Sequence, residues 1–185
     1  MKENTALILI DMINKMDFEG GEDLLEHTKP IVKPILNLKK RAKELDIPVI
    51  YVNDNFGLWQ EDVENVIEVC RKGIGQEVVE QVIPEKDDFF IIKPKHSGFY
   101  STQLDILLSH LDVKHLILTG IAGDICVLFT ADDAYMREYD LWVPKDCTAS
   151  EKKDDNESAL KLMKRSMFAN ISPSTEMDIE EAFKN

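Results

Sequence analysis

The sequence is short of the features that mark several classes of protein. Only three of its 185 residues are cysteine (Cys70, Cys126 and Cys147), and no two stand as C-x-x-C. So sparse and odd a set excludes a disulfide scaffold and fits a reducing compartment, so a cytoplasmic protein is expected. Basic residues are also few, 22 Lys and Arg against 35 Asp and Glu, for a formal net charge of −13. Such a surface repels phosphate backbones and anionic headgroups, and neither nucleic acid nor a membrane is expected as partner. Runs such as "ALILI" fall far below the ~20 apolar residues that span a bilayer. The first residues, "MKENTALILIDM", lack the apolar region and cleavage site of a signal peptide. Glycine is scarce, at eight residues, and none builds a Walker or dinucleotide loop. The four histidines (His27, His96, His110 and His115) have no ligand spacing, so no metal and no cofactor are expected.

What remains is a chain built to fold. Hydrophobic residues make up 44%, and the length suits a single domain over residues 1–185 with one sizeable core. Short, continuously apolar runs read as buried strands at residues 5–11, 47–54, 88–94, 114–120 and 140–146, with a short last strand in 169–174. Helical spacing fills the intervals at residues 28–45, 101–111, 124–139, 155–167 and 174–185. Pro30 suits the first turn of the first helix and Pro34 lies inside it; Ser101 is the expected cap of the second, and Ser174 or Thr175 of the last. Residues 53–75 read as a loop and one helix. Strand and helix alternating with fully apolar strands predict a mostly parallel, roughly six-stranded sheet covered on both faces, an α/β fold.

In such sheets ligands bind beyond the carboxyl ends of the strands. Asp11 follows the first apolar run, and Asn53, Asp54 and Asn55 the second. Lys93 and Lys95 follow the third, residues 120–126 the fourth, and Lys145 and Asp146 the fifth. One edge therefore collects an acid, an amine and a thiol from distant parts of the chain.

A thiol attacks as thiolate, and a helix N-terminus or a neighbouring cation lowers its pKa. Cys126 falls in the first turn after "GIAGD", so rapid alkylation near neutral pH is expected of it and not of Cys70 or Cys147. Taken alone it fits a core thiol equally well. With Lys93 as cation and Asp11 as proton acceptor it can cleave a carboxamide through a thioester. The backbone N–H groups of Ala122 and Cys126 are candidate oxyanion donors. Phe18, Trp59 and Phe99 are candidate pocket walls, or ordinary packing. Asp54 with its flanking asparagines reads as a turn or a substrate contact, and Lys95 as an outer ammonium able to meet a substrate carboxylate.

Three stretches carry a resemblance. "LILIDMINKM", "IIKPKHSGFYSTQLDILL" and "LILTGIAGDICVLFTADDAY" resemble, in order, the signature blocks of the isochorismatase-like cysteine hydrolases, and the likeness runs over residues 5–149. It implies a Rossmann-like three-layer αβα sandwich and an Asp-Lys-Cys triad at Asp11, Lys93 and Cys126. It also implies a cis peptide between Ile121 and Ala122, and a homo-oligomer, dimer or tetramer. The chain departs from the family pattern at Gly123, where threonine is common, at Lys95 and His96, and at Met16. These positions bear on which substrate fits. The metal-binding Asp and His cluster of the family's nicotinamidases is replaced here by "YVNDNFGLW", which has no histidine.

The function expected is hydrolysis of a C–N bond in a small carboxamide or ureido compound. The alternatives are an isochorismatase-type vinyl-ether hydrolase and a non-catalytic binding protein on the same fold.

Overall fold

The computed structural model describes residues 4–57 and 62–184. One sheet contains β1 (Thr5–Ile10), β2 (Val49–Asp54), β3 (Phe89–Lys93), β4 (His115–Ile121), β5 (Asp140–Trp142) and β6 (Thr148–Ala149). The order is β3-β2-β1-β4-β5, and the pairings are parallel. β5 pairs with the first half of β4 and β6 with its end, at Gly120 and Ile121. The helices are α1 (Gly21–Glu44), α2 (Val63–Cys70), α3 (Gln76–Gln81), α4 (Leu104–His110), α5 (Leu128–Met136) and α6 (Lys153–Ser166).

The two-residue period of a strand divides the core into two halves. Leu7, Leu9, Val49, Tyr51, Ile117 and Trp142 face a layer made by α1, α2 and α3. Ala6, Ile8, Ile10, Ile50, Val52, Leu116 and Leu118 face a second layer made by α4, α5 and α6. The fold is the αβα sandwich expected. No described helix is long and apolar enough to cross a membrane.

Several local expectations are corrected. α1 begins at Gly21, seven residues before residue 28, after Gly20 in a left-handed conformation (φ 88°). Both Pro30 and Pro34 lie inside it. Its buried stripe of Leu24, Ile31, Val32, Ile35, Leu38 and Ala42 outweighs the amide hydrogen bonds that proline removes. α4 is not capped by Ser101, which is itself left-handed (φ 54°); the hydroxyl of Thr102 accepts the Leu104 N–H at 3.2 Å. α3 was not read from the sequence. Residues 169–174 give only a bridge between Asn170 and Trp142, and the sixth strand is the dipeptide Thr148–Ala149. Residues 174–184 form turns in place of a helix. The Arg41 guanidinium takes the carbonyls of Ser174 and Met177 (2.7 and 2.6 Å), and the Ser174 hydroxyl donates to Asp146 instead of capping.

Candidate active site

β1 ends at Ile10, and simple alternation would turn Asp11 to the face of Leu7 and Leu9. Asp11 instead has φ 50°, a left-handed conformation that aspartate tolerates better than most residues. Its N–H donates to the Val52 carbonyl at 2.9 Å, so the turn stays fastened to β2. Its carboxylate remains at the sheet edge. Oδ1 accepts the Asp54 N–H at 2.7 Å, and Oδ2 lies 2.8 Å from Lys93 Nζ.

Lys93 is the last residue of β3 and shares a face with Ile91, on the α5 side of the sheet. It is fully buried. Its ammonium meets Asp11, donates to the Lys95 carbonyl at 3.1 Å and lies 3.5 Å from Cys126 Sγ. Asp54 Oδ2 stands 4.0 Å away on the neighbouring strand, where Asp54 and Lys93 are register partners.

Cys126 lies in a single π-helical turn, Gly123–Val127, that leads into α5. The peptide before that turn, Ile121–Ala122, is cis. Gly120, with φ 113°, passes so close to β1 that a side chain would strike the Ile10 carbonyl. Thr130 ties the turn to the loop after β3: its hydroxyl donates to the Cys126 carbonyl at 2.7 Å and accepts the Gly98 N–H at 2.9 Å. From the other side the Ser150 hydroxyl oxygen accepts the Asp124 N–H at 3.1 Å, and Asn156 packs against Gly123. Sequence reasoning missed Thr130, Ser150 and Asn156. Ser150 follows β6, but Thr148–Ala149 is too short to read as an apolar run, so the rule that found Asp11 does not reach it. Asn156 carries no such signal.

The site is electrostatically tight. Burial pushes the Asp11 carboxyl above its usual range, and the Lys93 ammonium pulls part of the way back. Burial disfavours the charged Lys93, yet Asp11 and Cys126 hold its pKa above the ordinary value. Burial first, then the Asp11 carboxylate, push the Cys126 thiol up to about 12, against the pull of Lys93. In the resting site, desolvation and a neighbouring anion outweigh the cation, which favours the thiol form of Cys126.

The structure brings Asp11, Asp54, Lys93 and Cys126 together. Asn53 faces the other way. It is fully buried, accepting the Ile13 N–H at 3.1 Å and donating to the Ile13 carbonyl at 2.8 Å. Phe99 is a core residue, its ring 6.0 Å from Tyr139 and under the Arg137 guanidinium at 4.7 Å. The Lys95 side chain is exposed, and Phe18 is half exposed. Trp59 lies outside the described residues. Among the described residues no group of three or more His, Cys, Asp or Glu is arranged to hold a metal ion.

The site thus gathers a carboxylate, an ammonium and a thiol at the carboxyl edge of a parallel αβα sandwich. Residues 5–176 match the Isochorismatase domain family. The uncharacterized isochorismatase family protein YaaI of Bacillus subtilis is 49% identical over 170 residues, covering 92% of this chain and 94% of its own. The ureidoacrylate amidohydrolase RutB of Yersinia enterocolitica is 32% identical over 171 residues, covering 78% and 74%. The crystal structure of N-carbamoylsarcosine amidase from Thermoplasma acidophilum superposes with a TM-score of 0.73 at 28% identity, over 95% of this chain and 99% of that one. The chain belongs to the isochorismatase family, and it is a hydrolase.

Proposed function

We propose that this hydrolase is a cofactor-free amidohydrolase, cleaving a C–N bond in a small carboxamide or ureido compound through a thioester on Cys126. The observation that carries the reading is the Lys93 ammonium held between Asp11 Oδ2, at 2.8 Å, and Cys126 Sγ, at 3.5 Å. The amidohydrolase names of two relatives support it.

Removing the thiol proton to bulk water would leave two anions beside one buried cation. Passing it to Asp11 leaves one thiolate paired with Lys93 and a neutral acid, with no change of net charge. Sγ then attacks the carbonyl carbon, forming the C–S bond as the carbonyl π pair moves to oxygen. The N–H groups of Ala122 and Cys126 are the proposed donors to that oxyanion. As the oxyanion collapses the C–N bond breaks, and Asp11 returns its proton to the departing nitrogen. A water, its proton taken by Asp11, hydrolyses the thioester and frees Cys126 as a thiol.

The test is ammonia release from a panel of primary amides and ureido acids, with Cys126→Ser as control. Release by the wild type and not by the variant is expected. Equal release by both would remove the mechanism.

A further inference from the structure

Three of the four charged or nucleophilic groups at the sheet edge have duties to one another; Asp54 has a carboxylate oxygen left over. Its Oδ1 accepts the Phe56 N–H at 2.7 Å, which fixes the side chain. Its Oδ2 faces the Lys93 ammonium at 4.0 Å, beyond hydrogen-bond length. That ammonium is already engaged by Asp11 at 2.8 Å and by the Lys95 carbonyl at 3.1 Å. The side chain of Lys93 is fully buried and that of Asp11 is 6% exposed, whereas that of Asp54 is 38% exposed. Asp54 is therefore the acidic group of the cluster that an incoming molecule can reach.

The charges beside Cys126 then sum in a definite way. Asp11 and Lys93 cancel at contact distance, and Asp54 leaves one uncompensated negative charge. Lys95 does not offset it at close range. Its carbonyl, not its ammonium, is turned to Lys93, and its side chain is exposed, where water and salt screen it.

We propose that Asp54 sets the charge preference of the site, admitting uncharged and cationic substrates to Cys126 and disfavouring those with a carboxylate next to the scissile amide. As a statement about substrates this rests on the amidohydrolase reading above. The substrate class becomes a neutral or amine-bearing carboxamide or urea, whose N–H groups the free Asp54 oxygen can accept.

The charge preference can be read without turnover. Cys126 is labelled with three methanethiosulfonates of similar size: the 2-aminoethyl (cationic), methyl (neutral) and 2-sulfonatoethyl (anionic) reagents. Peptide mass locates the label, and each rate is normalised to that of free cysteine. Ratios between reagents cancel any change in the thiol's own reactivity. The wild type should favour the cationic over the anionic reagent by well over tenfold. Asp54→Asn, which keeps the acceptor for the Phe56 N–H, should shrink that ratio by about tenfold, the effect of one unit charge at this range in a medium between protein and water. Asp54→Ser should do the same. Glu180→Gln makes an equal change in net charge on an exposed residue of the C-terminal segment and should leave the ratio unchanged. In parallel, kcat/KM for a carboxylate-bearing amide relative to its neutral analogue should rise about tenfold in Asp54→Asn. A labelling ratio unmoved by both Asp54 variants overturns the proposal, whatever the enzyme hydrolyses. A ratio that collapses in a protein that cleaves no amide upholds charge selection at Cys126 and overturns the amidohydrolase reading instead.

Discussion

Asn156 stands where a side chain on residue 123 would be: a β-carbon built on Gly123 collides with Asn156 Oδ1. The family resemblance implies threonine at this position, and here an amide from the first turn of α6 fills the space. That amide also accepts the Ser150 hydroxyl at 3.3 Å, and Ser150 in turn holds the Asp124 N–H. Gly123→Ala should therefore push Asn156 off Ser150 and loosen the turn that carries Cys126. We expect about 1–3 kcal/mol of lost stability, as for overpacking elsewhere, and a lower kcat. The double variant Gly123→Ala with Asn156→Ala should recover part of both. A double variant no better than the sum of the singles would separate the two residues.

Asn53 bonds both backbone groups of Ile13 inside the core. Asn53→Ala leaves the buried Ile13 N–H without its partner and the Ile13 carbonyl with only the weak Cys70 thiol donor at 3.5 Å, at a cost of about 1–3 kcal/mol. The segment it holds begins two residues after Asp11. Chemical denaturation should report the loss. At temperatures where the variant is folded, kcat should fall more than KM rises.

Asp11→Asn separates acidity from catalysis. The Asp11 carboxylate is one of the forces raising the Cys126 thiol toward about 12. Removing that negative charge lowers the thiol's pKa, while the amide that replaces it cannot take a proton. The variant should be inactive in hydrolysis, yet its Cys126 should react faster with iodoacetamide between pH 7 and 9 than the wild-type thiol does. Slower alkylation would mean that Asp11 activates the thiol in the resting site as well.

The sheet was legible because its strands are unbroken apolar runs: β1, β2 and β3 lie within the expected segments, and β4 runs one residue past its own, to Ile121. The face-by-face logic of a parallel sheet also brought Asp11, Lys93 and Cys126 to one edge. What the sequence hid has physical causes. The start of α1 was obscured because "GEDLLEH" carries little of the apolar stripe and two prolines follow. The C-terminal segment has helical spacing, but Arg41 and Asp146, distant in sequence, hold its backbone groups in turns. Asn53 and Asp54 are adjacent letters with opposite fates, because a strand turns successive side chains to opposite faces. The raised thiol pKa was invisible because desolvation depends on packing that no short motif encodes.

The same desolvation gives the fold an alkaline limit. Burial raises all three thiols, Cys70 and Cys126 to about 12 and Cys147 further still. In the unfolded chain they ionise near the ordinary thiol value of ~8.5. Below that pH both states hold the protons and nothing is lost. Above it the unfolded chain releases protons that the folded chain keeps, so stability falls as pH rises toward the folded-state values. Each thiol contributes a slope of up to about 1.4 kcal/mol per pH unit. Urea denaturation between pH 8 and 10.5 should show a progressive loss. A flat profile across that window would mean that the thiols are less desolvated than their burial implies.

Two lysines two residues apart should behave unlike each other. Lys93 is fully buried, with Asp11 and Cys126 on its ammonium, while Lys95 presents its carbonyl to Lys93 and its side chain to solvent. Lys93→Ala leaves the buried Asp11 carboxylate without its cation, and a thiolate formed at Cys126 without its counter-charge. It should lose kcat by orders of magnitude and destabilise the fold by about 3–5 kcal/mol. Lys93→Met, which keeps most of the stem, should recover packing but not turnover. Lys95→Ala keeps the carbonyl that Lys93 uses, so kcat should hold. Any effect should fall on KM and be confined to substrates bearing a carboxylate, the mark of a contact made equally in ground and transition states. Steady-state kinetics on both variants, with a neutral and an anionic amide, decides the matter. A Lys95→Ala enzyme that loses kcat while Lys93→Ala only weakens binding would move the catalytic amine two residues along the chain.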